Sequence, residues 1–105
     1  MNVTTEMLEE YVIFPEFLRE FKISMTAKLI YSVIMTEAMK GKMTDEQGRL
    51  YAEISAEKLA GQIGKPKSSV NMHLRTLSDG GLIERKPQTN RIYPKKPVIG
   101  EKKSI

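Results

Sequence analysis

Residues 64–81 read GKPKSSVNMHLRTLSDGG, and this stretch decides the predicted fold. Its proline can open a helix, because the ring presets φ and the missing N–H is not needed at a helix start. Val70, Leu74 and Leu77 then recur at i, i+4 and i+7, the spacing of one apolar helix face. Two glycines end the helix. Its other face is polar and basic, since no Asp or Glu occurs between Lys58 and Ser78.

A shorter helix is predicted directly before this one. Ser55 is its candidate N-cap, because a serine hydroxyl can accept a hydrogen bond from an N–H group of the first turn. Leu59 and Ile63 point inward, and Gly64 ends the helix. Gly64 and Lys65 make the connection tight, and two helices joined this closely indicate a helix-turn-helix.

A basic hairpin is predicted beyond the glycines. Leu82–Lys86 and Arg91–Tyr93 are its strands, and residues 87–90 (PQTN) are the turn between them. Such a hairpin is a wing. A helix of this kind fits the major groove of DNA, while the wing reaches the neighbouring backbone.

The N-terminal half completes the pattern. Tyr11–Phe14 suits a short strand, and Pro15–Phe21 a one-turn helix. Ser24 is the N-cap of a long helix that Gly41 ends, and residues 40–48 form a polar loop. The inward stripe of the long helix is Ala27, Ile30, Tyr31, Ile34 and Ala38.

A half-buried strand follows the loop, with Leu50, Ala52 and Ile54 inward and with Tyr51 and Glu53 outward. The order helix, strand, helix, helix, strand, turn, strand is that of a winged helix-turn-helix. We therefore predict an α+β (mainly α) fold with three core helices, a small antiparallel sheet with a wing, and an N-terminal arm. The predicted boundaries are 1–22 for the arm, 23–97 for the winged-helix domain and 98–105 for a basic flexible tail.

The net charge of +4 is unevenly distributed over the 105 residues. Residues 1–22 carry −3, residues 23–57 carry −1, and residues 58–105 carry +8. Clustered Lys and Arg favour a polyanionic partner, because they release counterions from phosphates. The alternative is a solvated basic surface with a lysine-rich tail.

Composition argues against catalysis and metal binding. The chain has no cysteine and one histidine, His73, so neither a disulfide framework nor a Cys/His metal site is expected. His73 fits a packed or boundary position better than a catalytic one. Asp45 and Glu46 are adjacent in a polar loop, where their side chains diverge without a visible partner. We expect no enzymatic site, no cofactor and no metal.

The location expected from the sequence is the cytoplasm. No apolar run approaches the roughly 20 residues of a membrane span. The acidic N-terminus also lacks the basic start and apolar stretch of a signal peptide. Contact with a membrane is not expected.

The predicted contacts with double-stranded DNA fall into two groups. From the recognition helix they are Lys65, Lys67, Ser68, Ser69, Asn71, Met72, Arg75 and Thr76. From the wing they are Arg85, Lys86, Gln88, Asn90, Arg91 and Lys95, with Lys96 following. Arg75 could bond O6 and N7 of guanine or contact a phosphate. Met72 touches a thymine methyl or is an idle surface side chain, and Asn71 reads adenine or bonds a phosphate oxygen.

Several motifs resemble known families. Residues 64–70, 73–77 and 81–85 look like the winged helix of bacterial regulators such as the GntR and MarR families. Further motifs are similar to the N-terminal domain of RepA_N plasmid replication initiators, and this resemblance covers roughly Tyr11 to Lys95. These motifs are YVIFP (11–15) with Leu18, IS (23–24) before AKLIY (27–31), DEQGRLY (45–51) and NRIY (90–93). Family members usually carry a serine at the position of Pro66.

The resemblance implies binding of repeated sites at a replication origin, as a homodimer and with contacts to replisome proteins. Family initiators are longer, so the chain is expected to be an excised N-terminal domain or a small stand-alone relative. The alternative is a winged-helix transcriptional regulator. The location of the cognate DNA site separates the two functions, because an initiator binds at an origin and a regulator at a promoter. A third reading is a winged-helix protein-interaction module, which the acid-free face argues against. The acidic arm from Glu6 to Phe21 is the expected place for a dimer contact.

Overall fold

A computed structural model describes residues 15–95 of the chain. The predicted strand Tyr11–Phe14, Lys96 and the tail 98–105 lie outside the described residues. A 3₁₀ turn comes first, followed by three helices and three strands. In chain order the elements are the 3₁₀ turn Glu16–Glu20, α1 (Met25–Gly41), β1 (Ala52–Glu53), α2 (Ala56–Ile63), α3 (Lys67–Asp79), β2 (Ile83–Arg85) and β3 (Arg91–Pro94).

Helix α1 is the centre of the domain. The Ser24 hydroxyl accepts a hydrogen bond from the Ala27 N–H at 3.1 Å, which confirms the predicted N-cap. All five residues of the predicted inward stripe are buried. Ser32 and Thr36 are buried as well, and their hydroxyls donate to the carbonyls one turn earlier at 2.9 and 2.7 Å. The helix therefore buries polar side chains without leaving them unpaired.

The helix-turn-helix is formed by α2 and α3. The Ser55 hydroxyl accepts from the Lys58 N–H at 3.1 Å, and Gly64 ends α2 in the left-handed region with φ 70°. The left-handed conformation favours glycine, which has no Cβ to clash. Leu59 of α2 is fully buried. Val70, Leu74 and Leu77 of α3 are likewise fully buried, as the spacing predicts.

The small sheet is antiparallel, with the strand order β1-β3-β2. Ala52 lies opposite Ile92, and Glu84 lies opposite Tyr93. The β2–β3 hairpin is the wing. Its tip is a tight turn in which Thr89 N–H donates to the Lys86 carbonyl at 3.3 Å, while Gln88 has φ 65°. Proline followed by a residue of positive φ is the pattern of a type II turn.

The strand before α2 differs from its prediction. Only Ala52–Glu53 is strand, and Leu50, predicted inward, is 41% exposed, because it pairs with Thr44 in a small bridge beside the sheet. Tyr51, predicted outward, is only 6% exposed. The Arg91 guanidinium and the Tyr93 ring cover it on the outer face of the sheet.

The wing is tied to the core through Tyr31 of α1. Its hydroxyl donates to the Lys95 carbonyl at 3.0 Å, and burial raises the pKa of Tyr31 to about 12. Leu82, Ile83 and Ile92 complete the core between the helices and the sheet. The winged helix-turn-helix is thus confirmed. Among residues 15–95, no helix is both long and apolar enough to cross a membrane.

Candidate nucleic-acid interface

The outward face of α3 is a polar and basic surface. Its apolar face is fixed against the core by Val70, Leu74 and Leu77, so the residues at the intervening positions must face solvent. A shallow depression of about 390 Å³ runs along this face. It is lined by Ser68, Asn71, Met72 and Arg75.

Arg75 is open to a ligand on this face. It is exposed, and within residues 15–95 its guanidinium forms no hydrogen bond or ion pair. Met72 is 58% exposed, as predicted, so its thioether is open to an apolar contact. Asn71 and Ser68 are also exposed. A guanidinium, a carboxamide and a thioether therefore lie side by side on one helix face.

Three of the remaining predicted residues, Lys67, Thr76 and Ser69, are less free, whereas Lys65 is open to solvent. Lys67 Nζ lies 3.5 Å from Glu57 Oε2 of α2, so part of its charge is already paired. The Thr76 hydroxyl donates to the Met72 carbonyl at 3.2 Å. Ser69 is half-buried. Lys65 is exposed in the connection between α2 and α3.

Pro66 occupies the N-cap position of α3, and the helix begins at Lys67. Proline offers no side-chain oxygen, so the N–H groups of the first turn have no side-chain cap. The partial positive charge of a helix start favours an anion such as a phosphate there. Proline at this position therefore alters the cap and leaves the helix intact.

The wing carries its predicted basic and amide side chains at its tip and edges. Arg85, Lys86, Gln88 and Asn90 are exposed. The exposed Lys95 lies at the far end of β3, where its N–H donates to the Leu82 carbonyl at 2.7 Å. Arg91 is half-buried, unlike the others.

Arg91 belongs to an arginine–tyrosine cluster on the outer face of the sheet, which we define as Arg49, Tyr51, Arg91 and Tyr93. The Arg91 guanidinium carbon lies 4.1 Å from the centre of the Tyr51 ring, and that of Arg49 lies 4.3 Å from the centre of the Tyr93 ring. The two rings are 5.6 Å apart. Arg91 Nη1 also donates to the Tyr93 hydroxyl at 3.4 Å. Stacking of this kind is a cation–π interaction.

Asp45 anchors the cluster. Its side chain is 3% exposed and accepts hydrogen bonds from the backbone N–H groups of Gln47 and Arg49, both at 2.9 Å, and from Arg49 Nε at 3.3 Å. The pKa of Asp45 is lowered to about 2, chiefly by the Arg49 backbone N–H and with a contribution from the Tyr93 hydroxyl. The sequence shows no partner for this carboxylate, and the structure supplies several, because the turn at residues 45–49 folds the chain back onto it.

Of these residues, sequence reasoning assigned only Arg91 to the DNA interface, although two motifs contain them all. DEQGRLY (45–51) supplies Asp45, Arg49 and Tyr51, and NRIY (90–93) supplies Arg91 and Tyr93. The two motifs are joined in space because β1 pairs with β3. In each motif an arginine stands two residues before a tyrosine: Arg49 before Tyr51, and Arg91 before Tyr93. Residues at this spacing in an extended segment share one face, and this was the signal that the sequence offered.

The described residues offer no group of three His, Cys, Asp or Glu side chains able to hold a metal ion. His73 is half-buried on α3, consistent with a boundary position.

Comparisons with known proteins give structural matches. A solved structure described as "Structure of MDR initiator" superposes with a TM-score of 0.73, at 18% identity over 94% of this chain and 88% of that one. Two others are described as "N-Terminal domain of DNA binding protein" and "Structure of Rep-DNA complex". Their TM-scores are 0.68 and 0.67, each at 20% identity over 94% of this chain and 86% of theirs. No protein-family model matches the sequence, and curated proteins give no significant match. At these identities the matches establish the fold.

Proposed function

We propose that the chain binds double-stranded DNA in a sequence-specific manner, as the origin-binding domain of a plasmid-type replication initiator. In this proposal α3 enters the major groove and the wing lies on the adjacent phosphate backbone. The role is binding without catalysis, in the cytoplasm, and it uses no cofactor or metal.

The observation that carries the proposal is the exposed face of α3. Arg75 lies there without an ion-pair partner among residues 15–95, beside Asn71 and Met72. An Arg guanidinium can bond O6 and N7 of guanine, and a carboxamide can bond N6 and N7 of adenine. A carboxylate on this face would repel phosphate, and none occurs between Lys58 and Ser78.

The wing supplies the part of the interface that does not depend on sequence. Arg85 and Lys86 are exposed at its tip, and each phosphate contact releases counterions. Such contacts fix the position of a protein on the duplex, while base contacts specify the sequence. In this proposal the basic wing positions the protein on the duplex, and the exposed face of α3 reads the base sequence.

The structural matches support the replication role. One of the superposed proteins is described as an initiator and another as a Rep–DNA complex, so the same fold binds DNA in a replication protein. From the sequence resemblance to RepA_N initiators we infer a homodimer on repeated origin sites, together with contacts to replisome proteins. The spacing of half-sites by about one helical turn would be the signature of the dimer.

Selection of bound duplexes from a random pool tests the proposal. The expected result is an enriched sequence that recurs as repeats at the origin of the source replicon. Enrichment of a sequence found at a promoter instead would assign the chain to transcriptional regulation. The absence of any duplex preference and of affinity at moderate salt would refute DNA binding and favour a protein-interaction module.

A further inference from the structure

The outer face of the sheet holds a contact network that joins three separate parts of the chain. The turn at residues 45–49 supplies one arginine, the segment before α2 supplies Tyr51, and the wing supplies the rest. The Arg49 guanidinium stacks on Tyr93 of β3, and its Nη1 lies 3.5 Å from Glu84 Oε1 of β2.

Glu84 and Tyr93 are direct partners in the β2–β3 register. One arginine side chain therefore bridges a cross-strand pair of the wing from outside the wing. Asp45, whose side chain is 3% exposed, accepts hydrogen bonds from both Nε of the same guanidinium and the backbone N–H of Arg49. The 45–49 turn is in this way fastened to both wing strands.

Tyr51 makes a second attachment. Its ring packs against Tyr93 and carries the Arg91 guanidinium. The Arg91 side chain is thereby limited to few rotamers, and it also donates to the Tyr93 hydroxyl. Holding a long side chain in place before binding lowers the entropy cost of any contact it makes.

We propose that Arg49 is a positioning residue for DNA binding, acting through the wing without touching DNA. It fixes the angle of the β2–β3 hairpin and so places Lys86 and Arg91 at the phosphate backbone. This inference rests on the proposed function, since it assumes that the wing meets DNA.

The charge balance around Arg49 argues against a direct phosphate contact. Two carboxylates, of Asp45 and Glu84, lie within 3.5 Å of its guanidinium nitrogens. Transfer to a phosphate would break both ion pairs and the stack on Tyr93. Lys86 has no such partner among the described residues and is free to serve as a phosphate ligand.

The first measurement needs no DNA. Hydrogen exchange is compared for the wild type, Arg49→Ala, Arg49→Lys and the control Arg19→Ala, whose exposed arginine pairs with Glu16 one turn away. The wing amides of Lys86 and Thr89 should exchange roughly five- to tenfold faster in both Arg49 variants. The amide of Leu59 in α2 should be unchanged in all. Unchanged wing amides would overturn the proposal, whether or not the chain binds DNA.

The second measurement uses a cognate duplex, again with both Arg49 variants. Arg49→Lys keeps the positive charge but loses the planar stack and the forked hydrogen bonds. A positioning role predicts that Arg49→Lys and Arg49→Ala weaken binding alike, and that the effect of either is largely lost in a background of Arg85→Ala, Lys86→Ala and Arg91→Ala. Normal affinity of Arg49→Lys, or a loss that persists in that background, would show that Arg49 contacts DNA itself. Unchanged affinity of Arg49→Ala with a loosened wing would also overturn the proposal.

Discussion

Replacement of Arg75 by alanine is the perturbation whose effect the structure defines best. The side chain is exposed on α3 and makes no hydrogen bond or ion pair within residues 15–95. Its removal leaves no group unpaired, so the free energy of unfolding should change by less than about 0.5 kcal/mol. Binding is different. A bidentate contact with guanine contributes about 1–3 kcal/mol of discrimination.

This energy corresponds to roughly a 5- to 150-fold loss of affinity for the cognate duplex, since 1.4 kcal/mol is a factor of about ten. A fluorescence anisotropy titration at fixed salt measures the loss for cognate and random duplexes in parallel. Arg75→Ala should weaken the cognate duplex by that factor and the random one much less. Preference should be relaxed at one base pair.

Two matched variants make the test decisive. Arg75→Lys retains the charge and removes the planar fork, so it should lose most of the preference for the cognate duplex. Lys22→Ala removes one exposed positive charge ahead of α1 and should leave the preference intact. If Arg75→Ala weakened both duplexes equally and lowered the salt slope by about 0.9, Arg75 would be a phosphate ligand and the base-reading role would be refuted.

The other predictions concern apolar readout, the wing, acid stability and the tie between wing and core. Met72 should contact one thymine methyl, so replacing that thymine by uracil should weaken DNA binding by the wild type severalfold and leave binding by Met72→Ala unchanged. Met25→Ala, which removes another exposed methionine, is the control. Equal sensitivity of the wild type and Met72→Ala to the uracil would remove Met72 from the interface. Arg91→Ala should weaken all duplexes alike and reduce the salt slope by about one, so an unchanged slope in a salt titration would argue against wing contact. The pKa of Asp45 lies at about 2 in the folded chain, below its ordinary 3.8, so its carboxylate stabilises the fold above about pH 4 and that contribution is lost as the pH falls toward 2. Asp45→Asn should flatten this part of the pH profile of urea unfolding, and an unaltered profile would contradict the hydrogen bonds described. Tyr31→Phe should lower the free energy of unfolding by about 0.5–1.5 kcal/mol through loss of the bond to Lys95. It should also reduce the fall in stability between pH 10 and 12, because the raised pKa of Tyr31 contributes stability that is lost as the pH rises through that range. No change in either would refute the buried bond.

Local rules were sufficient to predict the helices. The caps at Ser24 and Ser55 follow from the hydrogen-bonding capacity of serine, and the buried residues of α1 and α3 follow from the period of the helix. The exposure of Arg75 and Met72 follows from the same period, because a helix with one face packed must present the other. The predicted recognition face is therefore a consequence of local pattern.

The arginine–tyrosine cluster could not be predicted in this way. Arg49 and Glu84 are 35 positions apart, and their contact exists only because β1 and β2 flank β3. Alternation on a strand placed Tyr51 on the outer face, but it could not show that Arg91 covers the ring there. The same alternation predicted Leu50 inward, yet the bridge to Thr44 carries it away from the core. The Lys67–Glu57 pair between α2 and α3 likewise depends on how the helices cross.

The ratio of affinities for selected and random duplexes tests the central claim most directly. It is measured with the wild-type chain at one stated salt concentration near physiological, because salt changes both affinities. Sequence-specific binding through α3 predicts a selected duplex bound at least about a thousandfold more tightly than a random one. A ratio near one, with both affinities falling steeply as salt rises, would show that the basic half binds phosphate without reading sequence.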